Sequence, residues 1–460
     1  MVKLNFEMRQ SSFEEFIRVL IPEAKDDEIE INAEENKEKI QIKAKNKKNK
    51  IIFEYKNIKE KIENQREIMA KIALLKLYNK EYRWGGFTGV RPTKVVIKLE
   101  GLGFSFDEID DILEKLYLVQ KEKRELLLKV VQKELPFLND EFVNVYIGIP
   151  YCPTKCTYCS FASYVKKGKM KEYYPIFLEK LNEEIELISD VMKEKNMKIG
   201  SIYIGGGTPT ILNEKELEEL LIKITNSFDL SNSKEFTLEA GRVDTITEEK
   251  LNIAKKYGVN RVSINPQTFN KETLKKVNRE GSIEEIRRFF DISYNIGFII
   301  NMDFIIGLVD EDTEIILETI EKIKEYDLDN LTIHNLALKR ASKLYRDGYR
   351  GQELDYKKIE KKIKEIVEEK EMHPYYMYRQ KNSFDWGENL GYTKKGKESI
   401  FNIHMIEEDQ TTIALGGGGM TKLVTQKGIE RIVNPKDPTV YIREFEERMI
   451  KKVQKIKKEF

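Results

Sequence analysis

The sequence predicts an α/β protein: a partial (β/α)6 barrel, with an N-terminal α+β accessory region before it and a C-terminal mixed α/β domain after it. Two observations carry this prediction. Six short apolar runs recur at roughly 30-residue spacing, and each gap between them holds apolar residues at helical spacing. A strand, a crossover helix and a parallel strand form the unit from which such barrels are built.

In chain order, residues 1–60 form the small N-terminal region. Alternation in 28–34, 39–45 and 51–55 suggests strands, and the basic run 43–50 reads as the exposed turn of a hairpin, with nucleic-acid contact as its alternative. Residues 61–140 are a helical accessory region, with helical spacing over 57–78 and 106–135 and a Gly- and Pro-punctuated loop at 83–94. The core, 141–337, holds the strands VNVYIGI (143–149), SIYIGG (201–206), EFTLEA (235–240), NRVSIN (260–265), FIINMDFI (298–305) and NLTIHNL (330–336). Its helices are expected at 172–195, 214–226, 247–257, 282–295 and 312–325. Residues 338–460 form a substrate-side domain with helices near 356–371 and 439–457. Between them lie a polar, aromatic-rich stretch at 375–392 and a strand with a glycine run at 411–420.

At 460 residues the chain is longer than one hydrophobic core usually organises. Its 80 Lys and Arg against 79 Asp and Glu leave no long-range field of one sign, so neither nucleic acid nor a membrane surface is an expected partner. The start MVKLNFEMRQSSFEEF has no apolar leader segment, and no run is long enough to span a bilayer, so a cytoplasmic protein is expected. A monomer is expected. The three cysteines lie within eight residues, the wrong distribution for a disulfide framework and a suitable one for metal ligation.

The chemistry concentrates in CPTKCTYC, directly after the first core strand. Cys152, Cys156 and Cys159 can ligate three irons of a cubane and leave the fourth open; the alternative is a tetrahedral zinc site completed by His334, His373, His404 or a carboxylate. Gly205, Gly206 and Gly207 follow the second strand, where a backbone without Cβ atoms can approach a ligand or simply turn sharply. Glu239 ends the third strand, where a carboxylate can bond ribose hydroxyls or remain an ordinary surface group. Asp303 lies within the fifth strand and needs a partner if buried; an ion pair with a barrel lysine is its structural alternative. The run 416–419 can admit a backbone to a ligand or be a flexible turn. Arg379, Lys381 and Trp386 can receive a flat anionic ring system or form a solvated loop.

The CxxxCxx(aromatic)C loop, with GGGTPT after the second strand, resembles the radical S-adenosylmethionine superfamily. YIGIPYCPTKCTYCSF is similar to the oxygen-independent coproporphyrinogen III oxidase family, and EAGRVDTIT, YRQKN, ENLGY and GGGGMTK resemble its coproporphyrinogen dehydrogenase branch from Gram-positive anaerobes. The likeness runs from about Arg83 to the C-terminus. It implies a radical-SAM barrel and a 4Fe-4S cluster on Cys152, Cys156 and Cys159, whose open iron chelates S-adenosyl-L-methionine. One electron then releases a 5′-deoxyadenosyl radical. Tyr146, Gly206 and Glu239 match positions that contact this S-adenosylmethionine. Tyr158, Gly207, Thr208, Gln267, Arg279, Asp303 and Ala337 match positions that hold a second one, and Lys422 falls near a contact position that is usually apolar.

The implied reaction is oxidative decarboxylation of two coproporphyrinogen III propionates to vinyl groups, giving protoporphyrinogen IX. The implied partners are the tetrapyrrole, coproporphyrinogen III or a haem-like molecule, and an electron donor and acceptor such as flavodoxin or ferredoxin. Two positions depart from the best-characterised pattern. Phe161 stands where that type carries a fourth cysteine, and Gly148 where it carries a histidine. Relatives with Phe at the equivalent of 161 include haem chaperones and haem-degrading radical methyltransferases, which are the alternative functions.

Overall fold

Parity decides what each core strand faces. The computed structural model describes residues 2–138, 141–161, 163–380 and 387–460. It places the six runs in one sheet as β1 (Val143–Ile149), β2 (Ile199–Gly206), β3 (Glu235–Glu239), β4 (Arg261–Ser263), β5 (Ile299–Ile306) and β6 (Asn330–Asn335). Each is parallel to the next. One parity is apolar: Ile147, Ile204, Leu238, Val262, Ile300 and Met302 are fully buried, on the face that crossover helices cover in such a fold. The other parity is polar or aromatic, and Tyr146, Tyr203, Glu239, Ser263, Asp303 and His334 all line one cavity. A period of two therefore separates core from site along every strand.

The crossover helices span Lys169–Glu194, Glu214–Ser227, Glu248–Lys256, Ile283–Ile296 and Thr313–Lys322, as the apolar spacing predicts within a few residues. Asn213 and Ser282 start two of them through reciprocal capping with Glu216 and Glu285. Lys271–Lys276, inside a segment read only as a family pattern, is a further short helix.

The barrel is open. Beyond β6 the sheet continues antiparallel through β8 (Glu388–Thr393) to β7 (His373–Arg379). Beyond β1 it continues through β9 (Thr412–Gly416), parallel to β1, and then β10 (Met420–Thr425) and β11 (Gly428–Val433). The aromatic-rich stretch is thus largely an edge hairpin rather than irregular chain. Its adjacent tyrosines Tyr375 and Tyr376 are both buried, which hides the period-two signal. At the foot of the barrel, Glu235 accepts from the Ser399 hydroxyl at 2.8 Å and the Ile400 amide at 2.6 Å. Arg261 donates to the Lys397 and Glu398 carbonyls at 2.9 and 2.8 Å. A carboxylate at the start of helix Ile400–Glu407 meets its free amides.

The chain divides into two compact units, Met1–Leu135 and Pro136–Phe460. The first is a four-stranded sheet in the order Val2–Leu4, Ile29–Glu35, Lys39–Lys45 and Lys50–Lys56, with helix Gln65–Leu77 packed on it. Its polar face is laced by pairs such as Lys43–Glu34 at 2.5 Å and Lys45–Glu30 at 2.6 Å, which tie the basic run to the neighbouring strand. Helices Gln10–Leu20 and Thr93–Gly101 were not legible as elements. The single helix expected over 106–135 is two, Phe106–Lys115 and Lys121–Glu134. The chain breaks at Leu118, whose φ of 55° cannot continue a right-handed helix.

Candidate functional site

The cysteine loop is held at the mouth of β1. Tyr151–Cys152 pairs with Tyr164–Val165, and the Thr157 amide donates to the Val277 carbonyl at 3.0 Å. Asn278 Nδ2 donates to the Lys155 carbonyl at 2.9 Å. Glycines make the seat possible. The Gly207 and Thr208 amides donate to the Ile149 and Tyr151 carbonyls at 2.7 and 2.8 Å, and a Cβ on Gly207 would stand 2.5 Å from the Tyr151 carbonyl oxygen. Gly206 and Gly207 line the cavity, but their lack of a side chain first serves the docking of the cysteine strand.

Donors converge on the sulfurs. Thr208 Oγ1 lies 3.3 Å from Cys152 Sγ, and Arg242 and Arg279 bring Nη1 atoms to 3.7 and 3.9 Å from Cys156 Sγ. Arg242 is fixed by Asp244 at 2.7 Å and by the Thr154 hydroxyl at 2.9 Å. Arg279 is held by the Gly241 and Asn265 carbonyls. Burial pushes the Cys152 thiol up to about 11, with Thr208 pulling the other way, and also raises Cys159. A metal bound at Cys152 and Cys159 would supply the charge that displaces their protons. Among the described residues no three His, Cys, Asp or Glu side chains converge as they would on a single ion. The donor set fits a polynuclear cluster, in which each thiolate takes its own iron and hydrogen-bond donors spread the sulfur charge.

Beside the loop opens a cavity of ≈ 670 Å³ lined by Cys152, Cys156, Cys159 and the polar parity of all six core strands. Tyr146, Tyr203 and Phe401 stack nearly parallel across its wall, with Tyr203 and Phe401 centroids 4.4 Å apart. The Tyr203 hydroxyl donates to Glu239. Burial pushes the Glu239 carboxyl up to about 7; Tyr203 opposes this and Asp303 adds to it. Asp303 takes Asn301 Nδ2 at 2.8 Å and faces His334 Nε2 at 3.7 Å, and His334 Nδ1 meets the Tyr378 hydroxyl at 3.2 Å. Asp303 therefore has a histidine partner rather than the lysine considered from sequence.

Gln267 takes a positive φ of 69°, forced by a bridge in which its amide donates to the Asp303 carbonyl and its carbonyl accepts from Ile305, each at 2.9 Å. Its Oε1 is buried without a partner on the cavity wall. An orphaned acceptor of this kind calls for a ligand donor.

Twelve of the thirteen sequence-predicted site residues line this one cavity: the three cysteines, Tyr146, Tyr158, Gly206, Gly207, Thr208, Glu239, Gln267, Arg279 and Asp303. Ala337 lies just beyond β6 and is not among the lining residues. Lys422 is buried in a 2.9 Å pair with Glu408 and does not line the cavity. Arg379 sits in β7 opposite Glu388 and also does not line it; Lys381 and Trp386 lie outside the described residues. Lining residues with no assigned role include Tyr203, Arg242 and Phe401, and His334, considered only as a zinc ligand, lines the cavity as well. Tyr203 and His334 share the parity of Gly205 and Thr332, a usable signal. Arg242 and Phe401 reach the site only through tertiary folding.

The family model described as the Radical SAM superfamily matches residues 146–323. The oxygen-independent coproporphyrinogen-III oxidase-like protein HemZ of Bacillus subtilis is 38% identical over 390 residues, 82% of this chain and 78% of that protein. The heme chaperone HemW of Bacillus subtilis is 30% identical over 274 residues, 58% of this chain and 68% of that protein. Among solved structures, coproporphyrinogen III oxidase (HemN) from Escherichia coli superposes with a TM-score of 0.52 at 20% identity, covering 69% of this chain and 72% of that one, a likeness of fold. No described helix is long and apolar enough to cross a membrane.

Proposed function

The chain belongs to the radical SAM superfamily, among the oxygen-independent coproporphyrinogen III oxidase-like proteins, and from that premise we propose that it decarboxylates coproporphyrinogen III propionates to vinyl groups. The observation that carries this reading is the single cavity shared by the three cysteines and the polar ends of six strands. When bound, a 4Fe-4S cluster and S-adenosylmethionine supply a radical able to take a hydrogen atom from a propionate β-carbon.

The chain's own residues then bind, orient and exclude water. Cys152, Cys156 and Cys159 would hold the cluster, and Arg242 and Arg279, both within 4 Å of Cys156 Sγ, would offset its thiolate charge. Glu239, steadied by Tyr203, is placed to bond ribose hydroxyls, and Tyr146 and Gly206 line the same wall. Tyr158, Gly207, Thr208, Gln267, Arg279 and Asp303 line the same cavity. They suit a second S-adenosylmethionine or the polar arm of the substrate. The cavity falls within the roughly 300–1,000 Å³ of common small-molecule sites, so a tetrapyrrole would send one propionate inward and leave its ring at the mouth. There Phe161 stands 73% exposed on the lining, an apolar face for that ring.

Phe161 also favours a second reading, a protein that holds haem without turnover, since a thiol is absent from that place. The test is anaerobic incubation of reconstituted protein with coproporphyrinogen III, S-adenosylmethionine, a reductant and an electron acceptor. Carbon dioxide with a vinyl product supports the decarboxylase. Tight haem binding with neither product supports the carrier, and S-adenosylhomocysteine with an opened macrocycle would replace both with a methyltransferase.

A further inference from the structure

Among the described residues, the basic side chains that line the cavity are Arg242, Arg261, Arg279, His334 and Lys436. All but one are engaged. Arg242 pairs with Asp244, Arg261 donates to the Lys397 and Glu398 carbonyls, Arg279 is held by the Gly241 and Asn265 carbonyls, and His334 faces Asp303. The Lys436 side chain is exposed and makes no hydrogen bond or ion pair among the described residues.

The backbone around Lys436 is nevertheless fixed. The Gly418 amide donates to the Pro435 carbonyl at 2.9 Å and the Asn434 amide to the Gly419 carbonyl at 2.8 Å, so the turn that carries Lys436 lies along the glycine run. On its other side Asp437 caps helix Pro438–Arg443, accepting from the Thr439 amide at 2.8 Å, and lies beside the Tyr164 hydroxyl. Tyr164 pairs with the segment entering the cysteine loop and follows Phe161 closely in the chain. Two apolar side chains of the same lining also open to water: Phe161 is 73% exposed and Met420 is 39% exposed. A side chain that lines a cavity and also meets solvent belongs to its mouth. The mouth thus offers two apolar contacts and one cation on a fixed backbone, the features that receive a flat apolar body bearing a carboxylate arm.

We propose that Lys436 is a specificity-determining residue of this mouth: it pairs with a propionate of the tetrapyrrole other than the one turned inward, while Phe161 and Met420 cover the ring. The inference rests on the tetrapyrrole reading of the cavity and deepens it. Arg379, considered for the same role from sequence, does not line the cavity. A pair open to water contributes little to affinity. Its value is discrimination, since an uncharged ring of the same shape gains nothing from the lysine.

The test compares reconstituted wild type with Lys436→Met, Lys436→Glu and Lys436→Arg at equal iron content. Affinity is read from the Soret band during titration with coproporphyrin III and, in the same dilute non-ionic detergent, with its uncharged tetramethyl ester. For coproporphyrin III, Lys436→Met should bind about fivefold more weakly, the upper range for an exposed pair, and Lys436→Glu more weakly still. Lys436→Arg should stay within about twofold of wild type, and the contrast should shrink at about 0.5 M salt. The ester should bind all four proteins alike, and S-adenosylmethionine affinity should not change. Equal affinity of wild type and variants for coproporphyrin III would overturn the proposal and leave the functional reading standing. An ester affinity that falls as far as that of the acid would overturn it too, assigning the effect to shape rather than charge. So would a loss confined to S-adenosylmethionine, which would assign Lys436 to the carboxylate of that ligand. A wild type that binds neither porphyrin would overturn the proposal together with the reading it rests on.

Discussion

Asp303 and His334 face each other from adjacent parallel strands, carboxylate to Nε2 at 3.7 Å, with the Tyr378 hydroxyl closing the far side of the imidazole. Burial pushes the Asp303 carboxyl up, and His334, Asn301 and Thr332 more than offset it, leaving the group below its ordinary value. It is an anion at neutral pH, ready to accept from a ligand amine or hydroxyl. Asp303→Asn should weaken S-adenosylmethionine binding to reconstituted protein by about tenfold, the loss of one charge-assisted hydrogen bond. Iron content should not change. Equilibrium dialysis with labelled ligand measures the first and iron analysis the second; unchanged binding would remove Asp303 from the ligand site.

Two other carboxyls shift the opposite way. Burial raises Glu239 and Glu311 to about 7 each, opposed by hydrogen bonds from Tyr203 and Thr268 respectively. A carboxyl that holds its proton more tightly when folded contributes most stability below its unfolded pKa and loses it as pH rises toward the folded value. Ligand-free protein should therefore be more stable near about pH 5 than near about pH 8, by on the order of 2 to 3 kcal/mol per group. Glu239→Gln combined with Glu311→Gln should flatten that slope. Urea midpoints across this range decide it, and an equally steep slope in the double variant would assign the titration elsewhere.

The departure at position 148 has a steric reading. A Cβ there would stand 2.7 Å from the Gly417 carbonyl oxygen, and the Gly417 amide donates to the Gly148 carbonyl at 3.0 Å. The glycine run 416–419 and Gly148 thus require each other, and a histidine cannot simply be restored here. Gly148→Ala should cost about 1–3 kcal/mol, as overpacking against backbone does, and Gly148→His more. Because Gly148 precedes the cysteine loop by four residues, both variants should also take up less iron. A Gly148→His protein of wild-type stability would show that the close approach is not needed.

Cluster assignment has its own check. Cys156 is the thiol nearest two guanidinium groups, so Cys156→Ala removes a ligand and leaves Arg242 and Arg279 facing an empty place. Iron and sulfide after reconstitution should fall to a small fraction of wild type, with the fold retained by circular dichroism. Retained cleavage of S-adenosylmethionine would refute the ligand set.

How much of this was legible follows from what each signal depends on. Period-two parity along six strands made the barrel and most of its cavity readable, because Tyr146, Glu239 and Asp303 occupy positions that local geometry alone turns inward. The cysteine spacing worked for the same reason, being a property of one loop. What escaped depends on distant partners. Phe401 enters the wall because Glu235 receives the helix that carries it, a contact across 165 residues. The strands β7 and β8 carry buried residues on both faces, which erases alternation, and β9 joins the sheet next to β1 through pairing that no local pattern encodes. The break at Leu118 lies within a continuous apolar period and shows only in φ.

Behind the glycine run lies a fully enclosed ion pair, Glu184 with Lys452. Glu184, fully buried, accepts from Lys452 Nζ at 2.8 Å, the Tyr441 hydroxyl at 2.6 Å, Asn434 Nδ2 at 2.9 Å and the Gly416 amide at 2.7 Å. Lys452 also donates to the Ala414 carbonyl. Two helices thereby fix the end of β9, which in turn abuts Gly148 beneath the cysteine loop. Removing one charge strands the other in a dry interior, a loss of about 3–5 kcal/mol, whereas replacing both by apolar groups of similar volume is often close to neutral. Glu184→Leu and Lys452→Met should each be strongly destabilising. The double variant should recover much of the global loss, yet it still leaves the Gly416 amide without its acceptor, so iron uptake should stay impaired. Denaturant melts and iron analysis on the four proteins separate the two effects. Full recovery of both would mean that the network stabilises the fold without positioning the glycine run.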